Sequence, residues 1–435
     1  MAGGPSGRPG WGWGGAAGGA GAGAGAGAPG GGGAGEGAAG AAGPAGAAGG
    51  GAAAPAGPSL PAAAGPGLLA APGGARRAAA PAAGLGPGSA AASGGPRARQ
   101  RERLRGLLGC PVVDLAQLRQ ACWGGVPMDM RPMCWQLLLG LLPPDSSKWA
   151  ATAGARRRKY WDLLQRYERA ERSEGTEEEA VLARQISIDI PRTATDLPLF
   201  SQERVRRSLT RLLYLRAVMH PLSGYVQGFN DIATPFLATF LSRLMHGPMK
   251  EWDVAAVPED RLLEAESDCF WCFCRFLEHV EDYYTPEQPG IRRGIAQLES
   301  LVRRIDAGLH EHLVAEGVEY LHFSFRWFNC LAVRELPFPL VLRLWDTFMA
   351  EGPAVRSFLL YVCLSLLLRW RGELRGMELQ GVILFLQKLP TQAWDEGDLE
   401  VLLSTAFMWQ SVFDETIKGG ARAQTPGAPY PPPAG

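Results

Sequence analysis

The sequence predicts an all-α fold for most of the chain. Apolar residues recur every three to four positions in two long stretches, at Val205, Leu209, Leu212 and Leu213 and again between 298 and 313. This spacing places the apolar side chains on one face of a helix. Alternating strand patterns and Asn-Gly hairpin signals are scarce, and glycine and proline breaks separate segments of ordinary helix length.

Both stretches also predict where individual side chains lie. In the second stretch, one helical stripe is expected to contain Leu298, Leu301, Val302, Ile305, Leu309 and Leu313. In the first stretch, the arginines are expected mostly on faces away from the apolar stripe; they are Arg206, Arg207, Arg211 and Arg216.

The two ends of the chain differ from its middle. Residues 1–96 form a tail rich in Gly, Ala and Pro, with very few large apolar side chains. Such a segment cannot bury enough surface to offset the entropy of ordering, so we predict a disordered tail. Residues 421–435 are predicted to form a flexible Pro-rich tail. The folded domain is expected at 97–420, with two helical lobes at about 104–245 and 259–417, because its length exceeds that of a usual single core.

The charge balance argues against one class of partner. The chain has 43 basic and 43 acidic residues. It therefore lacks the strongly basic footprint of a nucleic-acid-binding protein. Two local basic runs remain, and they are either solvated helix surface or a means of attraction to an anionic membrane face; they consist of Arg97, Arg99, Arg101, Arg103 and Arg105, and of Arg156, Arg157, Arg158 and Lys159.

Targeting signals are not apparent. The N-terminus lacks a basic region followed by an apolar stretch. The best apolar run, Ser357–Leu368, is shorter than the roughly 20 residues of a membrane span, so we predict a buried core helix. No lipidation motif is evident either. A cytoplasmic location is expected, with recruitment to membranes through partners.

Several kinds of catalytic chemistry have no support in the sequence. It contains no GxxxxGK[ST] phosphate loop, no GxSxG and no HExxH. Cys269, Cys272 and Cys274 lie among aromatic residues, and no second cysteine pair or paired histidine completes a tetrahedral metal site. We predict that these cysteines pack in the core and that the chain has no metal site and no cofactor of its own.

The segment ISIDIPRT at residues 186–193 is the first informative motif. Pro191 is expected to disfavour helix at Ile190, end the regular structure and give a rigid approach to Arg192. Asp189 lies three residues earlier, where it can brace the guanidinium. A plain surface Asp–Arg pair is the alternative interpretation.

The segment SGYVQGFND at residues 223–231 is the second. Its two glycines permit unusual backbone angles and the close approach of another chain. Asn230 and Asp231 are expected at the start of a helix. Gln227 precedes that helix and carries an amide that can both donate and accept. The alternative is a tight turn with Tyr225 in the core.

Taken in order, these segments carry the patterns IxxDxxR and YVQG, and they resemble the TBC domain of Rab GTPase-activating proteins. Arg131 and Trp135 resemble the opening RxxxW motif of that family, and residues 343–346 resemble its later RLWD element. Within the family, the member 22 subgroup is most similar to ISIDIPRT, HPLSGYVQGFND, YYTPEQPGI, VEYLHFSFRWFN and RELPFP. Phe229 departs from the family, which often carries a smaller aliphatic residue or methionine there.

The resemblance implies an activator that lends catalytic residues to a GTP-bound Rab and is not itself an enzyme. Arg192 would be the arginine finger and Gln227 the glutamine finger, while GTP and Mg²⁺ would belong to the partner GTPase. Residues expected to support the fingers or contact the Rab are Ile186, Asp189, Thr193, Tyr225, Gly228, Asn230 and Asp231. Residues assigned to structure are Arg131, Trp135, Trp345 and Asp346.

The resemblance also implies a role in vesicle traffic, with the Golgi or another endomembrane as the place of action. A non-catalytic adaptor that holds a Rab on the same helical surface is the alternative. The presence of both Arg192 and Gln227 in intact motifs favours the activator.

Overall fold

The computed structural model describes residues 95–169, 172 and 175–422. The tails predicted at 1–96 and 421–435 lie almost entirely outside these residues. The regular elements of the described residues are helices joined by turns and loops, and the one β contact among them is an isolated bridge between Val112 and Asp145. The all-α prediction is therefore confirmed.

The α-helices of the described residues run in chain order as follows. The first half contains α1 (Pro96–Leu108), α2 (Leu115–Trp123), α3 (Arg131–Leu138), α4 (Trp149–Arg169), α5 (Glu177–Asp189), α6 (Glu203–Met219), α7 (Phe229–Leu241) and α8 (Glu259–Leu277). The second half contains α9 (Pro289–Ile305), α10 (Ala307–Ala315), α11 (Leu321–Asn329), α12 (Phe338–Glu351), α13 (Val355–Arg369), α14 (Arg371–Leu374), α15 (Leu379–Gln387) and α16 (Glu396–Arg422).

The predicted stripe between Leu298 and Leu313 is divided between two helices, so the expectation of one helix is wrong. Helix α9 ends at Ile305 and α10 begins at Ala307. Asp306 lies between them with a non-helical φ of −143°, and its carboxylate accepts a hydrogen bond from the Leu309 amide at 2.9 Å. A short acidic side chain thus caps a new helix instead of continuing the old one.

The predicted stripe on α6 is confirmed, since Val205, Leu209, Leu212 and Leu213 are all buried. Two of the arginines that were expected mostly on other faces, Arg211 and Arg216, are also buried. Arg211 is buried in a two-bond ion pair with Glu266 of α8, and Tyr160 of α4 donates to the same carboxylate. Arg216 is also buried and lies over the ring of Phe229. A buried guanidinium needs such partners, and they join α4, α6 and α8.

Helix α7 lies in the middle of the core. All of its residues except Asp231 are buried, and it packs most extensively against α8. Phe236 contacts Trp135 of α3 and Trp345 of α12 edge to face, with ring centroids 5.5 and 5.3 Å apart. The described helices belong to one compact unit. The division into lobes at 104–245 and 259–417 remains a prediction.

One segment of the described residues, Phe338–Arg369, meets the length and composition of a membrane span. It comprises α12, a short 3-10 turn at Gly352–Ala354 and α13. Because 67% of its apolar window is buried inside the domain, the segment is weak evidence for a span. The buried core helix predicted at Ser357–Leu368 corresponds to α13 and is confirmed.

Candidate functional site

Arg192 lies at the end of a continuous helical segment. Helix α5 begins with a capping box between Thr176 and Glu179 and passes directly into the 3-10 turn Ile190–Arg192. Ile190 is helical, with φ −56° and ψ −48°, so the prediction that Pro191 ends regular structure is wrong. Proline is tolerated in the first turn of a helix because its missing N–H is not needed there.

The Asp189 carboxylate joins the two motifs. One of its oxygens contacts Nη2 of Arg192, and the other accepts a hydrogen bond from the Tyr225 hydroxyl at 2.6 Å. The side chain of Asp189 is only 5% exposed, whereas that of Arg192 is 56% exposed. Within the described residues, Nε and Nη1 of Arg192 have no hydrogen-bond partner. The arginine is thus held at one nitrogen while its other donors face solvent.

Tyr225 acts as a donor in this arrangement. Burial and the neighbouring Asp189 carboxylate raise the pKa of the Tyr225 hydroxyl well above its ordinary value. The hydroxyl therefore keeps its proton over the whole physiological range and continues to bond the carboxylate.

A second chain of hydrogen bonds runs parallel to the first. The Thr193 hydroxyl donates to the Asp189 carbonyl at 2.9 Å and accepts from the Asn230 amide at 2.9 Å. The Asn230 side-chain oxygen in turn accepts from the Gly228 N–H at 3.1 Å. Thr193 and Asn230 are both buried. The arginine turn (Ile190–Arg192) and the glutamine turn (residues 223–228) are consequently held as one structure.

Gln227 lies on the turn that precedes α7. Its side chain is exposed. Gly228 follows with φ +110°, a left-handed conformation that favours glycine, and forms the N-cap of α7. The helix begins at Phe229, so Asn230 and Asp231 lie in its first turn, close to the predicted start. Asp231 is mostly buried, and this burial raises the pKa of its carboxyl group.

The turn has supports that the sequence did not indicate. The side-chain amide of Asn329 donates to the Gln227 carbonyl at 2.9 Å across 102 residues. Arg216 donates to the Ser223 hydroxyl at 3.1 Å at the other end of the turn. Asn329 falls inside the VEYLHFSFRWFN segment that resembles the family, but no local pattern assigns a partner so distant in the chain.

Phe229 is accommodated by aromatic packing. Its ring is 1% exposed and lies edge to face against Tyr225, Phe273 and Tyr284, with centroid distances of 6.3, 6.0 and 4.7 Å. The larger side chain therefore fills space between α7, α8 and the segment that follows α8.

Three of the four residues assigned to structure, Arg131, Trp135 and Asp346, meet at another carboxylate. Asp346 of α12 is fully buried and accepts two bonds from Arg131, at 2.8 and 2.9 Å. Trp135 and the backbone N–H of Val126 also donate to it, at 2.9 and 2.8 Å. Trp345 points to the aromatic core beside α7. This network joins α3 to α12.

The three cysteines of α8 lie in the core. Cys269, Cys272 and Cys274 are buried free thiols, and burial raises the pKa of each, that of Cys274 to about 12. Across the described residues, no group of three or more His, Cys, Asp or Glu side chains is arranged to hold a metal ion.

Comparison with known proteins places the chain in a family. A model of the Rab-GTPase-TBC domain matches residues 128–374. The GTPase-activating protein gyp1 of Schizosaccharomyces pombe is 41% identical over 310 residues, which cover 71% of this chain and 60% of that relative. Human TBC1 domain family member 22B is 40% identical over 313 residues, which cover 72% and 61% of the two chains.

A solved structure gives the same result. The crystal structure of the Ypt/Rab-GAP domain of Gyp1p aligns with a TM-score of 0.69 and 38% identity, over 73% of this chain and 99% of that one. The chain spans only about 60% of the length of the curated relatives above. The resemblance to the member 22 subgroup is confirmed. On these findings the chain belongs to the Rab-GTPase-TBC domain family.

Proposed function

We propose that the chain is a GTPase-activating protein for a small GTPase of the Rab class, and that it supplies Arg192 and Gln227 to the partner's active site. One observation carries the proposal. The buried Asp189 carboxylate binds both Arg192 and Tyr225. Because Tyr225 lies two residues before Gln227, the arginine and the glutamine share one surface, and both side chains remain exposed.

The chemistry of GTP hydrolysis suits these two groups. Charge accumulates on the γ-phosphoryl oxygens and the leaving oxygen, and catalysis depends on positioning and electrostatic stabilisation. Arg192 offers Nε and Nη1 for directed bonds to those oxygens. The Gln227 amide can orient the attacking water, because it both donates and accepts. GTP and Mg²⁺ are bound by the partner GTPase, and the chain acts only as an activator of that GTPase.

Apolar side chains beside the two motifs support a protein partner. Ile188 precedes Asp189 and is 58% exposed, and Leu222 precedes the glutamine turn and is 68% exposed. Exposed apolar side chains next to both motifs offer contact area to a protein partner. We propose that they contact the GTP-bound form of the Rab.

We further propose that the protein acts in the cytoplasm and regulates vesicle traffic at the Golgi or another endomembrane, with recruitment through partners. The basic run of α4 supports only a minor direct attraction to membranes. Arg157 is held by Asp268 and Glu264, whereas Arg158 and Lys159 are exposed and form no ion pair within the described residues.

The test is single-turnover GTP hydrolysis by a panel of purified Rabs, with the wild-type chain and with Arg192→Ala or Gln227→Ala. Gln380→Ala is the matched control, because Gln380 is exposed on α15. We expect one or a few Rabs to be accelerated by wild type and by the control, and each finger variant to remove most of the acceleration.

The alternative adaptor function predicts a different result. If no Rab is accelerated but GTP-loaded Rabs still bind the chain, the activator proposal is wrong and the surface holds its partner without catalysis.

A further inference from the structure

Asn329 fixes the backbone of the glutamine turn from a distant part of the sequence. It is the last residue of α11 and is 6% exposed. Its Nδ2 donates to the carbonyl oxygen of Gln227 at 2.9 Å. The hydrogen bond therefore acts on the peptide that joins Gln227 to Gly228.

The same amide also packs against Gly228. A Cβ at Gly228 would lie 2.7 Å from Asn329 Nδ2 and 3.2 Å from the Cys330 sulfur, which is too close for either contact to remain unchanged. The left-handed turn thus fits against α11 with no spare room. Steric contact and hydrogen bond together restrict the rotation of the peptide after Gln227.

Asn329 is itself held in place. Its main-chain carbonyl accepts a hydrogen bond from the Tyr284 hydroxyl at 3.0 Å. Burial raises the pKa of that hydroxyl, so it remains a donor. The residues after α11 include Leu331 and Ala332 in left-handed conformations, with φ of 50° and 58°, so the helix ends sharply behind Asn329.

The side-chain amide of Asn329 is oriented with its donor toward the Gln227 carbonyl. The Oδ1 atom of Asn329 is buried and has no hydrogen-bond partner within the described residues. Flipping the amide would bring this oxygen against the Gln227 carbonyl oxygen, where two acceptors repel. A buried acceptor without a partner, such as Asn329 Oδ1, lowers stability. The same amide orientation directs the Nδ2 donor at the Gln227 carbonyl.

We propose that Asn329 is a positioning residue for Gln227. The side-chain amide of Asn329 sets the direction in which the glutamine side chain leaves the surface. The inference rests on the proposed function, since the direction matters for a glutamine that orients the attacking water. A displacement of about 1 Å can reduce a rate by roughly 100-fold. Loss of the Asn329 donor should lower the maximal rate of stimulated hydrolysis by roughly 10- to 100-fold.

The experiment uses the full chain and a Rab that the wild type activates. Asn329→Ala deletes the donor together with the unpaired oxygen, and Asn329→Asp keeps the shape but replaces the donor with an acceptor. Ser324→Ala is the control, because Ser324 is buried on α11 and its hydroxyl donates only to the Tyr320 carbonyl one turn earlier. Hydrolysis is measured over a range of activator concentrations, so that maximal rate and half-saturating concentration are separated.

A mutant cycle distinguishes positioning from general damage to the fold. We expect Asn329→Ala to lower the maximal rate with little change in half-saturation, and to cost almost nothing further in a Gln227→Ala background. Hydrogen exchange of residues 224–229 should be faster in Asn329→Ala and unchanged in Ser324→Ala. Exchange does not depend on the GTPase and remains informative if the double variant is inactive.

Three results would overturn the inference while leaving the proposed function intact. One is an unchanged maximal rate in both Asn329 variants, provided that wild type is active. Another is an equal loss from Asn329→Ala with and without Gln227. The third is hydrogen exchange in 224–229 of Asn329→Ala that matches wild type. Failure of the proposed function is distinct, because then the wild type itself would accelerate no Rab.

Discussion

Two buried carboxylates in this protein hold an arginine in similar ways but leave it in different environments. Asp346 binds Arg131 through two hydrogen bonds and is also bonded by Trp135. Asp189 binds Arg192 and is also bonded by Tyr225. The Arg131 side chain is 8% exposed, whereas the Arg192 side chain is 56% exposed.

The difference lies in what remains available on the guanidinium. Arg131 gives Nε and Nη2 to Asp346, and Nη2 also to the Val126 carbonyl, and all of these bonds lie inside the core. Arg192 gives only Nη2 to its carboxylate and keeps the rest toward solvent. The first arrangement stabilises the fold, while the second leaves most of the guanidinium exposed, as the proposed arginine finger requires.

The largest expected effect is on hydrolysis at Arg192. Arg192→Ala should reduce stimulated hydrolysis by about 10³- to 10⁵-fold, or roughly 4–7 kcal/mol of barrier. Arg192→Lys should fail nearly as badly, because the ammonium lacks the planar fork of donors. Thermal unfolding should stay close to wild type in both. Arg99→Ala, at an exposed position on α1, is the control. Near-normal hydrolysis with the Arg192→Lys variant would refute the need for the planar guanidinium donors.

The next effect is on stability at the other arginine. Arg131→Ala should lower the free energy of unfolding by about 3–5 kcal/mol, because it leaves the Asp346 carboxylate buried without its cation. Chemical denaturation measures this. Arg101→Ala breaks an exposed pair with Asp129 and should cost less than about 1 kcal/mol. Equal losses in the two variants would contradict the contrast between buried and exposed arginines.

A smaller effect is expected where the two motifs meet. Tyr225→Phe keeps the ring against Phe229 but deletes the bond to Asp189, a contact to a charged group worth about 1.5–3 kcal/mol. We expect roughly tenfold slower stimulated hydrolysis and a modest loss of stability. Tyr361→Phe removes a comparable bond to Asp414 and should leave hydrolysis unchanged. The same rate in both variants would show that Tyr225 does not position Arg192.

The smallest effect concerns pH. Burial raises the pKa of Asp231 in the folded protein above its ordinary value of 3.8, so the folded state binds this proton more tightly than the unfolded state. Stability from this group is therefore lost as the pH rises above 3.8 toward the folded pKa. Asp231→Asn cannot ionise and should gain stability relative to wild type over that window. Unfolding curves at several pH values measure the difference, and a constant difference would contradict this sign.

The sequence predicted the helical class and the motifs, because both depend on local spacing. The stripe at Val205, Leu209 and Leu213 required only the helical period. The sequence could not predict the burial of Arg211, because its partner Glu266 lies on another helix. Asn329 was missed for the same reason, since its contact with Gln227 spans 102 residues. Asp306 shows the limit of periodicity, because a single cap divided an unbroken apolar stripe.

The most direct test of the account is binding to a transition-state analogue. A Rab that the chain activates is loaded with GDP and aluminium fluoride, and its affinity for wild type and for Arg192→Ala is measured beside that of the GTP-bound Rab. We predict tight binding of the analogue by wild type, loss of that binding in Arg192→Ala, and similar affinity of both chains for the GTP-bound form. Equal binding of the analogue by both chains would contradict the claim that Arg192 is held for charge that develops on the partner.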